Sequence, residues 1–452
     1  MREFFYKTRN IAGIVLIISP LLGAFRPDRP FLFYLLLLTG AAAAVPVHCA
    51  GILFLPFRLW IFLACLAAAA GQILAAPFAA GFLPFDPVWL SALLQGAACS
   101  GLLLLLPPVM ITGWFRRSKT MVLGILWSVS LLLLPLWQAA FLHAADWASA
   151  ASAIFMAAGI LFLQRPPVNF RFRENPLLLG RSGTFVKPSI YTASIAASLG
   201  IVVSLSVLMT PERNTLSPFG ELHSVQASML LSGGTLSALP SMLLSGDALS
   251  ALPSMLLSGL AAALPYLFLA ASPVLTALFV ERKGIFSGCV LLIFLCESAV
   301  LCLGSAGSAA GGFVGSAVGG FAESVSGGLV ESTAGIMGGV PGGAAAANVG
   351  SRVLPLAGRG LLAAAAGCLP VVLPILTHYL YGSINFLESF GRLVFFLPVG
   401  LLASMPFCYM AAEGELLPED PVIFLLFLLV LSFFCIFSAW KHRFIILKNK
   451  IL

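Results

Sequence analysis

Apolar runs long enough to cross a bilayer recur along the whole chain. Between Val88 and Gly113, for example, no charged residue occurs, and about 20 apolar residues in a helix already span the roughly 30 Å hydrocarbon core. Covering many such runs in water would take far more charge than the 452 residues hold. Only 9% are charged and 60% are apolar, against about 25% and roughly 45–50% in soluble domains. The mean hydropathy of +1.05 agrees. These values exclude a soluble enzyme, a disordered chain and a secreted disulfide scaffold. A transmembrane barrel would alternate polarity over roughly ten-residue segments, whereas the runs here are unbroken. The composition therefore predicts an all-α polytopic membrane protein.

Twelve runs read as membrane-spanning helices, at roughly 10–26, 31–48, 51–77, 88–113, 120–142, 147–164, 188–210, 256–280, 285–304, 356–381, 390–412 and 421–440. The first lacks a small-residue cleavage site and reads as an uncleaved span, not a signal peptide. Orientation follows from Lys and Arg, which concentrate in cytoplasmic loops. With the N-terminus inside, only Arg26, Arg29, Arg213, Arg352 and Arg359 of the 24 basic residues fall outside. Both termini are then cytoplasmic, and the net charge of +7 is a topology signal and not a nucleic-acid footprint. Twelve of the seventeen acidic residues fall on the outer side, where they read as solvated loops. A bacterial inner (cell) membrane suits the short loops and the absence of targeting segments.

The longest inner connection, Gln164 to Lys187, is basic and punctuated by proline. It divides the chain into a six-helix N-terminal half (1–164), a cytoplasmic linker (165–187) and a six-helix C-terminal half (188–452). Two insertions in the second half, at about 211–255 and 305–352, fall on the outer face. The first holds a 13-residue repeat, Ser228–Gly233 recurring at Ser241–Gly246 and Ser254–Gly259, too short for a solenoid and read as a loop enlarged by duplication. The second is a Gly/Ala/Ser tract, read as a flexible loop, with close helix packing through small residues as the other reading. The nine cysteines lie in or beside apolar runs without a C-x-x-C pair. They suggest small buried hydrophobes, and no metal or redox site.

Six spans plus six, a basic middle loop and cytoplasmic termini resemble the major facilitator superfamily of secondary transporters. That family places a G-x-L-A-D-R-x-G-R-R-like turn after its second span and often again after its eighth. Ala277-Leu-Phe-Val-Glu281-Arg282-Lys283-Gly284 occupies the second place, with Glu for Asp and the terminal basic pair lost. At the first place Gly51-Ile-Leu53 begins the pattern, but Leu55-Pro56-Phe57-Arg58 carries no carboxylate. Gly113-Trp-Phe-Arg116-Arg117-Ser-Lys119 through Gly124 is similar to the family's stretch joining spans four and five. Gln95-Gly96 ends an R-x-x-Q-G pattern in which Ala92 stands for Arg, and the fifth span lacks the G-P-x-x-G-G pattern of proton-driven drug exporters. The resemblance implies a gating turn at Glu281, Arg282, Gly284 and Arg58. There a carboxylate pairs with a cation, or caps a neighbouring helix, and locks the inner side of the bundle. An ordinary charged loop is the alternative.

An ionisable residue inside a span is costly and points to function. Glu297 is the clearest, either a coupling carboxylate or a structural, hydrogen-bonded acid. On the spans the family uses around its cavity, Gln95, Trp127, Tyr191, His378 and Tyr381 are the candidate substrate contacts, as hydrogen-bonding and aromatic groups suited to an amphipathic molecule. Helix–helix hydrogen bonds or interfacial belts are their other roles. Pro370 and Pro374 should kink the tenth span. With no H-E-x-x-H and no Lys-bearing Gly loop, the chain reads as a non-enzyme without cofactor or metal. The expectation is a monomeric secondary transporter of a small molecule in the lipid bilayer, coupled to a proton or sodium ion. A non-transporting sensor or scaffold subunit and a lipid flippase share the same architecture.

Overall fold

The computed structural model describes residues 2–23, 31–76, 87–115, 118–164, 247–307, 342–381 and 386–413, with 430, 434 and 437. These form ten helical rods: α1 (Arg2–Gly23), α2 (Phe31–Phe54), α3 (Phe57–Leu74), α4 (Val88–Trp114), α5 (Lys119–His143), α6 (Ala145–Phe162), α7 (Asp247–Lys283), α8 (Ile285–Gly307), α9 (Gly342–Tyr381) and α10 (Phe386–Glu413). Seven of them contain stretches long and apolar enough to cross a membrane. Large apolar side chains stay uncovered on the rods, such as Phe54 at 84%, Trp147 at 81% and Leu161 at 74% exposure. Water would penalise each by about 1.5–3 kcal/mol relative to burial, whereas lipid does not. The chain is a multi-pass helical membrane protein.

Proline chemistry shapes the rods. Pro107 and Pro108 lack the amide hydrogens that would continue the ladder, and just before them Ser100–Leu105 widen into a π-helical segment, with Leu106 N–H bonded to Gly101 O. Pro135 similarly divides α5 at a turn centred on Leu133. Pro370 and Pro374, by contrast, lie within the continuous helix α9. The α7–α8 corner is a single residue, Gly284, at φ +89° with its N–H on Val280 O at 2.8 Å. A side chain there would be strained, and a left-handed glycine after the last turn is a common helix stop.

The packing pattern repeats. Rods α2 and α3 both lie on α4, and rods α7 and α8 both lie on α9. Between these groups α5 packs on α7 and α2 on α10, while α1 runs along α6. One continuous core joins residues from both groups, from Ile14, Trp60 and Leu105 to Cys368, Phe390 and Leu393. The ends of α2, α4, α6, α7 and α9 and the starts of α1, α3, α5, α8 and α10 gather at one end of the bundle. This basic end carries Lys7, Arg9, Arg58, Lys119, Arg282, Lys283 and Arg392.

The rods differ from the expected spans at several boundaries. The second span continues through Cys49 and Ala50 to Phe54, and the break falls at Leu55-Pro56, because Cys and Ala sustain a helix whereas Pro56 cannot donate to the previous turn. Helix α1 begins well before residue 10. Two helices start inside the expected insertions: α7 at Asp247, absorbing the third repeat unit, and α9 at Gly342. The run Ala344–Ala347 is strongly helix-favouring, which explains why the end of the Gly/Ala/Ser tract is helical. The span at 188–210, the first two repeat units, most of the tract and most of 421–440 lie outside the described residues.

Candidate functional site

Helix α5 begins without help from its own sequence. Ser118 stands at the cap position but makes no side-chain cap bond, leaving first-turn amides unpaired by the helix. The partner comes from α7: Glu281 Oε1 accepts the Met121 N–H at 3.3 Å. A carboxylate at a helix N-terminus also gains from the helix dipole. Beside it, Lys119 Nζ lies 2.7 Å from His378 Nε2. An ammonium group only donates, so His378 accepts through Nε2 in its neutral form. The His378 ring stands 6.1 Å from Phe386, which stacks on Phe390 at 5.1 Å. The basic end is thus tied together by α5, α7, α9 and α10.

One turn deeper the rods are in close contact. A Cβ added to Gly124 would lie 2.7 Å from both Pro273 O and the Ala277 Cβ, and one added to Gly391 would overlap Cys49 Sγ. Glycine at these two places lets α5 approach α7 and α10 approach α2. Beyond Gly124 the α5–α7–α9 seam carries polar groups along its length. Thr276 Oγ1 and Cys368 Sγ are 2.8 Å apart, and Tyr266 Oη donates to Gln138 Oε1 at 3.1 Å. Between those levels Trp127 Nε1 and Ser128 Oγ are buried without a hydrogen-bond partner among the described residues. Adjacent in sequence, they supply one indole donor and one hydroxyl able to donate or accept. Buried polar groups are normally paired, so this stretch of the seam offers two polar groups that a ligand could meet.

Of the residues singled out from the sequence, Trp127, His378 and Glu281 fall on this seam. Gln95 does not: its Nε2 donates to Gly71 O at 3.1 Å and Ser91 Oγ at 3.2 Å, joining α4 to α3. Arg58 lies away from Glu281 and donates to Leu163 O at the end of α6, at 3.4 Å. Arg282 and Lys283 form the exposed last turn of α7, before Gly284. Glu297 is half-buried on a face of α8 shared with the exposed Phe294 and Leu301, while Cys289, Leu292, Cys296 and Ala299 face the core. Tyr381 ends α9, its side chain outside the described residues, as is Tyr191.

Several polar contacts carry no sequence signature. Gln72 on α3 donates to Pro20 O at 3.4 Å and receives hydroxyls from Ser149 and Ser152 on α6. His48 takes the Trp60 indole N–H on Nδ1 at 3.0 Å and, through Nε2 at 2.7 Å, donates to Ala97 O. Since indole can only donate, the imidazole is held in its Nε2–H form. Gly101 leaves room for that ring, as a Cβ there would stand 2.7 Å from it. The signal available was polarity within apolar runs, which does not say which helix supplies the partner.

No family model matches the sequence, and no curated protein matches it significantly. Among solved structures, the human organic anion transporter MFSD10 (TETRAN) matches with a TM-score of 0.52 and 13% identity, over 96% of this chain and 100% of that one. A bacterial homologue of the iron transporter ferroportin, outward-facing and soaked with iron, gives 0.51 and 16% identity over 97% and 98%. The fold is of the major facilitator type. At these identities the likeness is one of fold.

Proposed function

We propose that the chain is a secondary transporter with twelve membrane helices in two six-helix halves, 1–164 and 188–452, alternating access to a site between them. The observation that carries this reading is the repeated packing. Exchanging the halves turns α2–α4 into α7–α9, α3–α4 into α8–α9, and the α5–α7 contact into α10–α2. A pseudo-twofold axis between two halves accounts for all three correspondences together. Both solved neighbours are transporters by their descriptions, one of organic anions and one related to an iron transporter.

In this reading the basic end is the cytoplasmic end of a cell inner-membrane protein, as the distribution of Lys and Arg favours. The Glu281 cap and the Lys119–His378 contact close that end, and transport requires both to separate. Trp127 and Ser128 lie above the closure and contact a small amphipathic substrate through hydrogen bonds. A proton or sodium ion supplies the driving force.

Uptake of a labelled compound library into vesicles reconstituted with the protein, with and without a proton gradient, tests the proposal. Saturable uptake of at least one compound, lost in Trp127→Phe/Ser128→Ala, is expected. A scaffold would give no uptake and would leave a Ser128→Cys thiol reactive from one side only, in every condition.

A further inference from the structure

Three helices meet at one corner of the basic end: the start of α1, the start of α3 and the end of α6. The chain leaves α6 through residues 161–164, and three side chains close on that exit. Arg9 Nη2 donates to Leu161 O at 2.8 Å, Arg58 Nη2 to Leu163 O at 3.4 Å, and Asn10 Oδ1 accepts the Gln164 N–H at 2.7 Å. Capping of the α6 carbonyls, where cations suit the negative end of the helix dipole, explains these bonds. It leaves two donors over. Asn10 is 1% exposed, and among the described residues its Nδ2 has no partner, nor does the buried Arg9 Nε.

Immediately beside the arginines the surface is apolar and uncovered: Leu161 at 74% and Phe162 at 42% on α6, Leu59 and Phe62 on α3. The Arg9 guanidinium also lies over the Phe162 ring, 5.7 Å from its centroid. Two fixed cations therefore stand at the end of an apolar strip along the bundle wall, with the two surplus N–H donors buried beside them. An amphipathic anion has that polarity, with phosphate oxygens for the arginines, and acyl chains along Leu161, Phe162, Leu59 and Phe62. Arginine suits phosphate through its planar set of donors, and basic pockets between helices at a membrane face bind lipid head groups.

We infer that this corner is a binding site for the phosphate group of an anionic phospholipid. Lipid there ties the starts of α1 and α3 to the end of α6 and so stiffens the N-terminal group of helices. The site is independent of the transport pathway, and its occupancy is read by binding alone.

Native mass spectrometry of the full chain in detergent, with phosphatidylglycerol or phosphatidylcholine of matched acyl chains, tests the inference. Wild type should retain phosphatidylglycerol preferentially. Arg58→Gln should weaken retention about fivefold, the effect of one interfacial arginine, while Arg392→Gln, an exposed arginine of equal charge on α10, leaves it unchanged. Asn10→Asp keeps an oxygen for the Gln164 N–H and offers one to Arg9 Nε. It should therefore fold, yet abolish the preference by setting a carboxylate against the phosphate. Equal losses in Arg58→Gln and Arg392→Gln, or a preference surviving Asn10→Asp, would overturn the site. Inorganic phosphate tested by thermal shift at constant ionic strength separates the sources. Stabilisation by phosphate alone, abolished in Asn10→Asp, would make this a soluble-anion site and contradict the lipid assignment.

Discussion

The two seams across the middle of the bundle are built alike and held differently. Along α5–α7 the contact is polar at both ends, with the Glu281 cap at the basic end, beside the α5–α9 contact Lys119–His378, and Gln138–Tyr266 far from it. Along α2–α10 the described residues meet through Gly391 against Cys49, with Phe386 and Phe390 stacked nearby. The difference goes back to the turns between helices. The α7–α8 turn keeps a carboxylate, Glu281, one turn from its glycine, whereas the corresponding α2–α3 turn holds Leu55-Pro56-Phe57-Arg58. Arg58 binds the end of α6 instead. In the proposed mechanism one seam is a polar latch and the other an apolar hinge surface.

Overpacking should break the comparison most strongly. Gly124→Val places atoms against a backbone carbonyl, which cannot move aside, and should cost about 1–3 kcal/mol, lowering the midpoint of thermal unfolding in detergent. Gly391→Val meets the end of a cysteine side chain and should cost visibly less in the same assay. Equal losses would mean that the seams are equally rigid. Next in size is the cap: Glu281→Ala should weaken closure by about 1 kcal/mol, raising alkylation of a thiol at Met121 roughly fivefold. Substituting Leu55 at the other turn should leave that rate unchanged.

The Lys119–His378 contact should show a coupling of about 0.5–1 kcal/mol in a double-mutant cycle of Lys119→Met and His378→Phe, read by unfolding. Additive effects would make the contact incidental. Smallest is Tyr266→Phe, about 0.6 kcal/mol for a hydrogen bond between membrane helices, with no change in labelling at Met121. A labelling change there would join the two ends of the α5–α7 seam into one switch.

The rods were legible because unbroken apolar runs have few other uses, and the basic end because charge cannot enter lipid. Boundaries failed where composition misled: the expected break at Cys49-Ala50 removes no backbone donor, whereas Pro56 does, and alanines carried α9 back into a tract that resembled a loop. The latch was half legible. Glu281 stood out as a carboxylate at a helix end, but its partner is a backbone N–H on another helix, and Lys119 meets His378 across 259 positions of chain. Gln95 shows the converse case: a polar residue on a promising span whose amide is spent on its neighbours Gly71 and Ser91.

The central claim is that two groups of helices move as bodies about the seams. Electron–electron distances between spin labels at Phe54 and Lys283, across the basic end, and at His143 and Leu267, toward the other end, test it most directly. The account predicts that Glu281→Gln lengthens the first distance and shortens the second in the same fraction of molecules. A lengthening at the basic end with no answering change at the other, or two distances that stay fixed, would contradict it.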